Sequence, residues 1–143
     1  MKDQFTAANR DDILQSIFDW ADRHGIPDIQ SYETQLNHNE ARLIGVPRNK
    51  KALLELNCLN LSGLQLTHIP QEIGFLTKLQ VINLSNNRIN HLPHTLPNLP
   101  RLFELNLDSF LINEIPSVVF EITSLKKFCF SVYYRSELVS LPR

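Results

Sequence analysis

The sequence predicts an α/β fold: a short solenoid with a parallel sheet on its concave side and a capping helix at its N-terminus. Three observations predict it. An apolar pattern recurs every 23 residues, a proline series recurs with the same period, and an amphipathic stretch precedes both. The pattern is clearest at Leu79, which begins LQVINLSNNRI. Leu56 begins LNCLNLSGLQL 23 residues earlier, Leu102 begins LFELNLDSFLI 23 later, and Leu125 begins LKKFCFSVY 23 beyond that. Pro47, Pro70, Pro93 and Pro116 keep the same spacing, and Pro142 follows 26 residues on. Two interlocked series of different residue types mark stacked structural units, none of which can bury its own leucines alone.

Within one unit the step from Ile82 to Leu84 is strand periodicity. It directs these two inward and Val81, Asn83 and Ser85 outward. Asn87 falls at a turn, where its carboxamide can bond backbone groups that a bend leaves unpaired. Ile89 and Leu92 continue the apolar set. Pro93 removes a backbone donor and keeps a helix from running through it. Leu96 and Leu99 bring the chain back to the next strand.

Before the repeats, Ile13, Leu14, Ile17, Phe18, Trp20 and Ala21 lie on one side of a helix expected over about 10–24. Asn9 reads as its N-cap, with Asp11 and Asp12 in the first turn. Gly25 supplies the left-handed residue that ends it, and Pro27 follows. Trp20, Ile13 and Ile17 are expected to cover the hydrophobic edge of the first repeat. The segment 26–46 reads as a degenerate half-repeat, with Leu36, Leu43 and Val46 on apolar positions. Arg48, Lys50 and Lys51 read as a solvated outer turn. Residues 1–45 thus form a helical cap and half-repeat. Residues 46–143 hold three full units and an incomplete, irregular fourth.

From about residue 46 to the end, these leucines, prolines and spacings resemble the leucine-rich repeat family, in its 23-residue Leu-Pro form. Repeats of this kind are similar to those of small intracellular proteins of bacteria and plants. The family's turn asparagine stands only at Asn87; Leu64, Phe110 and Tyr133 occupy its place in the other units. The resemblance implies a non-catalytic protein-interaction module that binds through the concave face. That face would present Cys58, Asn60, Ser62 and Gly63; Val81, Asn83, Ser85 and Asn86; Glu104, Asn106, Asp108 and Ser109; and Lys127, Cys129, Ser131 and Val132. The partner-binding set is Asn60, Ser62, Val81, Asn83, Ser85, Glu104, Asn106, Asp108 and Lys127. Asn60, Asn83 and Asn106 should stack side by side, and Asn83 and Asn106 should be replaceable without harm to the fold.

Composition bounds the alternatives. The chain has 143 residues, 43% of them hydrophobic and 20% charged, with a net charge of −1. Neither half has the basic excess that a phosphate backbone requires, so nucleic acid is not expected as a partner. No stretch approaches a membrane span, and the N-terminus lacks the apolar core of a secretory signal. Cys58 and Cys129 fall three strands apart, about 14 Å at ordinary strand spacing, too far for a disulfide. Two unpaired thiols agree with a cytoplasmic location.

His68, His91 and Glu114 share one position in successive units. A line of ligands does not make a tetrahedron, so no metal is assigned there. No Gly-rich phosphate loop, nucleophile elbow or catalytic triad is present, and no catalytic residue or cofactor is expected. Two other readings compete with partner binding. One is a structural subunit that pairs as a homodimer through the edge at Phe130, Tyr133 and Tyr134. The other is the recognition part of a bacterial effector or ligase whose catalytic domain lies elsewhere.

Overall fold

The computed structural model describes residues 7–29, 43–108 and 114–130. Its centre is a four-stranded parallel sheet in the order β1-β2-β3-β4: Cys58–Asn60, Val81–Asn83, Glu104–Asn106 and Lys127–Cys129. The register follows the sequence period. Leu59 pairs with Ile82, Ile82 with Leu105, and Leu105 with Phe128. These residues point into the core with Leu61, Leu84 and Leu107. The ladder continues past each strand, since Leu61, Leu84 and Leu107 donate N–H bonds to Asn83, Asn106 and Cys129 at 2.8 to 2.9 Å.

The returning segments are short 3-10 turns at Gln71–Phe75, Leu96–Asn98 and Ser117–Glu121. Pro70 and Pro116 stand immediately before two of them. A fixed φ suits that position, and the missing N–H removes no bond there. Successive turns interlock. Gly74 leaves no room for a Cβ, because Thr95 of the next unit would lie 2.2 Å from it. The Thr95 hydroxyl donates back to the Gln71 carbonyl at 2.6 Å.

The N-terminal helix α1 spans Ala7–Arg23. It starts earlier than the sequence indicated: Asn9 lies inside it, and no acidic residue stands in its first turn. Ala7 and Ala8 are strong helix formers, so propensity carries the helix past the apparent cap. The C-terminal end matches expectation. Gly25 has φ 63. Ile26 donates to Ala21 O at 2.9 Å and Gly25 to Asp22 O at 3.2 Å, the paired bonds of a Schellman end. Leu14, Ile17, Phe18, Trp20 and Ala21 join Leu53, Leu56 and Leu59 in one core, with Trp20 only 1% exposed. Ile13 is half-buried.

The junction after α1 holds two surprises. A second helix, α2, spans Lys50–Glu55, where the later units have 3-10 turns. Asn49 caps it, its side chain accepting from Ala52 N at 2.9 Å. Arg48 is not in a solvated turn. Its side chain is only 18% exposed, bonds Asp22 at 2.9 Å and donates to the carbonyls of Val46 and Ile26. Its own N–H bonds Asp28 at 2.9 Å. One guanidinium therefore joins the end of α1 to the start of the repeats. A planar fork of five donors suits that task better than an ammonium.

Val46 is buried as expected, but Leu43 is 38% exposed. Ile44 forms a parallel bridge to Asn60, extending the sheet by one residue beside β1. Leu36 lies outside the described residues.

Candidate functional site

The outward face of the sheet carries two register rows. Cys58, Val81, Glu104 and Lys127 make the first; Asn60, Asn83, Asn106 and Cys129 make the second. The expected side-by-side asparagines therefore occupy neighbouring strands. Their exposure is uneven. Cys58 and Asn60 are buried, while Val81, Asn83, Glu104 and Asn106 are half-buried and Lys127 is exposed. Glu104 and Lys127 form an ion pair at 3.8 Å.

The asparagines are not merely solvated. Asn83 Oδ1 accepts from Ser85 N at 3.0 Å and from the Ser85 hydroxyl at 2.7 Å. Asn60 makes the same pair with Ser62 at 3.1 and 2.8 Å. Asn106 Oδ1 accepts from Asp108 N at 3.0 Å. Each carboxamide thus holds the turn that ends its strand, an Asx turn. The expectation that Asn83 and Asn106 could be exchanged for arginine at no structural expense is therefore corrected. Ser85 is corrected as well: it is buried, because the chain bends after Asn83 and the hydroxyl folds onto that carboxamide. Ser62 and Asp108 remain half-buried at the rim of the face. Gly63 and Asn86, one period apart, both take positive φ, 68 and 59, as such turns require.

Asn87 lies behind this face and is buried. Its Nδ2 donates to Leu61 O at 2.8 Å and Leu84 O at 3.1 Å, with Ser85 O at 3.2 Å. Its Oδ1 accepts from Leu64 N at 3.0 Å and Leu66 N at 2.9 Å. One side chain stitches its own unit to the preceding one. The position where Leu64 stands in the first unit is held from the second.

Burial pushes the Cys58 thiol up to about 11, and the nearby Glu104 carboxylate adds to the shift. Such a thiol is a poor nucleophile at neutral pH. Cys58 and Cys129 are both free.

His68 and His91 line one shallow groove with Thr67, Pro70, Gln71 and Asn90, and Glu114 is not part of it. The His68 ring also meets His24, the residue after α1, edge-on at 5.3 Å. The described residues contain no cluster of three or more His, Cys, Asp or Glu side chains able to hold a metal ion. Of the candidate self-association edge, Phe130 is half-buried and stacks on Phe128 at 5.8 Å. Tyr133 and Tyr134 lie outside the described residues. Among the described residues no helix is long and apolar enough to cross a membrane.

Two features escaped the sequence reading. The Arg48 junction had no periodic signal. The asparagine turns did have one, since Asn-Leu-Ser recurs at residues 60–62 and 83–85, but polarity at an outward position masked it. A family model described as a leucine-rich repeat region matches residues 38–140. Comparison with the curated proteins and with the solved structures finds no significant match.

Proposed function

Because the chain belongs to the leucine-rich repeat family, we propose that it is a non-catalytic module that binds a protein partner on the outward face of its sheet. The observation that carries this reading is the open part of the two rows. Val81, Asn83, Glu104, Asn106 and Lys127 stand on adjacent strands, and each keeps part of its surface in solvent. Ser62 and Asp108 flank them. Asn60 and Ser85 support the face from below rather than offering contact. In this reading α1 is the N-terminal cap of a short solenoid of the 23-residue Leu-Pro form, and it leaves the outward face free. The location is cytoplasmic, and neither cofactor nor metal takes part.

The test is Val81→Arg, placed on an outward position whose apolar side chain holds no turn. Capture from native extract, followed by identification of the bound protein, should yield one partner with the parent and lose it with the variant. A partner retained by a folded Val81→Arg protein moves the site off this face.

One observation favours a second reading, self-association beside β4. Leu125, Phe128 and Phe130 are only partly buried, and Ile115 and Phe120 are 36% and 74% exposed. Leu102, Leu105, Leu107 and Leu92, the counterparts of Leu125, Phe128, Phe130 and Ile115 one unit earlier, are buried. Light scattering decides: a mass that stays at 16.5 kDa on concentrating excludes the homodimer.

A further inference from the structure

We propose that Asn83 and Asn106 form a prepositioned donor pair for neutral hydrogen-bond acceptors of a partner polypeptide, its main-chain carbonyls or carboxamide oxygens. The inference rests on the reading of the outward face as the binding face and names the chemistry that this face recognises.

The orientation of both carboxamides is fixed from within. The N–H groups of Ser85 and Asp108 can only donate, so the atoms they meet at 3.0 Å are oxygens. The Nδ2 groups must then point the other way. Neither has a partner among the described residues. The only buried side-chain nitrogen or oxygen there that lacks a bond is Trp20 Nε1, so both amide nitrogens reach solvent. Asn83 and Asn106 are direct register partners on parallel strands, which places the two donors about 5 Å apart. Asn60, the third of the row, is buried and does not share this role.

The surrounding charge selects the ligand. Asp108 follows Asn106 by two residues, and Glu104 precedes it by two on the same strand. A carboxylate docking on Asn106 Nδ2 would sit between two carboxylates, and Lys127 is already engaged by Glu104. A cation would face the positive ends of two N–H dipoles. A neutral oxygen meets neither penalty. The outward rows contain no aromatic ring among the described residues, so a sugar has nothing to stack on, whereas Val81 beside Asn83 offers apolar contact to a peptide. Both carboxamides are held before any ligand arrives, so little conformational freedom is lost on binding.

The experiment uses a display library of short random peptides, selected on the intact protein. The diagnostic variant is Asn83→Asp with Asn106→Asp. A carboxylate still accepts from Ser85 and Asp108 and preserves the turns, but it removes both outward donors. Affinity is measured in about 0.5 M salt, where exposed charges are screened within a few ångströms. Selected peptides should be neutral and acceptor-rich, bind at least roughly tenfold more weakly to the double variant, and fail on Val81→Arg. Peptides that fail on Val81→Arg but bind the double variant unchanged overturn the donor pair and leave the binding face standing. Peptides indifferent to Val81→Arg overturn both. A selection of acidic peptides, or of no binder at all, overturns the proposal. If the double variant melts early, the single variant Asn83→Asp is read by the same criteria.

Discussion

The two ends of the described sheet are built from the same repeat and behave differently. Leu59 at the first strand is fully buried, whereas its counterpart Phe128 at the fourth is only half-buried. The difference lies in what stands beside each strand. β1 has Ile44 on its flank and α1 and α2 in its core; Leu125, Phe128 and Phe130 at β4 are only partly buried against the core. A leucine position in a stacked array acquires its stability from the neighbouring unit, not from its own. The repeat pattern therefore reports which way a side chain points, and the neighbour decides how much that direction is worth.

The largest expected effect sharpens this contrast. Trp20→Ala removes a side chain 1% exposed from the core shared by α1 and the first unit. It should cost about 3–5 kcal/mol in a urea melt. Phe128→Ala at the other end starts from a half-buried ring and should cost only about 1–2 kcal/mol. Equal losses at both ends would show that β4 is as well covered as β1.

Arg48→Ala comes next. The variant strands the carbonyls of Ile26 and Val46 and breaks the link to Asp22. The ion pair alone adds little, because Asp22 is largely exposed. The stranded carbonyls and the lost packing carry the effect, about 2–3 kcal/mol. Arg48→Lys should recover less than half of it, since an ammonium cannot reproduce the fork. Full recovery by lysine would reduce the junction to simple charge.

Asn87→Ala is the matching test inside the array. It leaves the N–H groups of Leu64 and Leu66 and the Leu61 carbonyl without this partner, at a cost of about 1–3 kcal/mol. Coincident denaturation curves of variant and parent would contradict the buried bonding of this residue.

What the sequence disclosed and what it withheld divide along the same line. Parallel strands, inward leucines, the Gly25 helix end and the buried turn asparagine were all legible, because each depends on local spacing or on one residue's conformational preference. Arg48 was not legible. Apart from the Val46 carbonyl, its partners at Asp28, Ile26 and Asp22 lie 20 to 26 residues away, and no period links them. The second task of Asn83, holding its own turn, is not legible either, since an outward polar residue looks the same in sequence whether it faces a ligand or bonds its own backbone.

The smallest effect compares the two thiols, one near each end of the sheet. Cys58 on β1 is buried and its thiol is pushed up to about 11, whereas Cys129 on β4 is half-buried. The cause at Cys58 is first desolvation and then the charge of Glu104. The ordinary thiol value of 9.0 applies when the chain unfolds. Between pH 9 and 11 the unfolded state has therefore lost the Cys58 proton while the folded state keeps it. Fewer protons are bound in the unfolded state, so stability falls as pH rises through this window and is unaffected below it. Glu104 stands on the outward face, where solvent screens its charge, so desolvation carries most of the effect. Cys58→Ala should flatten the slope after allowance for the lost packing. A thiol-reactive dye at pH 8 gives the independent reading: Cys129 should label first, and Cys58 only at the rate at which the first unit opens. Simultaneous labelling would mean that the N-terminal end of the sheet is no better closed than the C-terminal one.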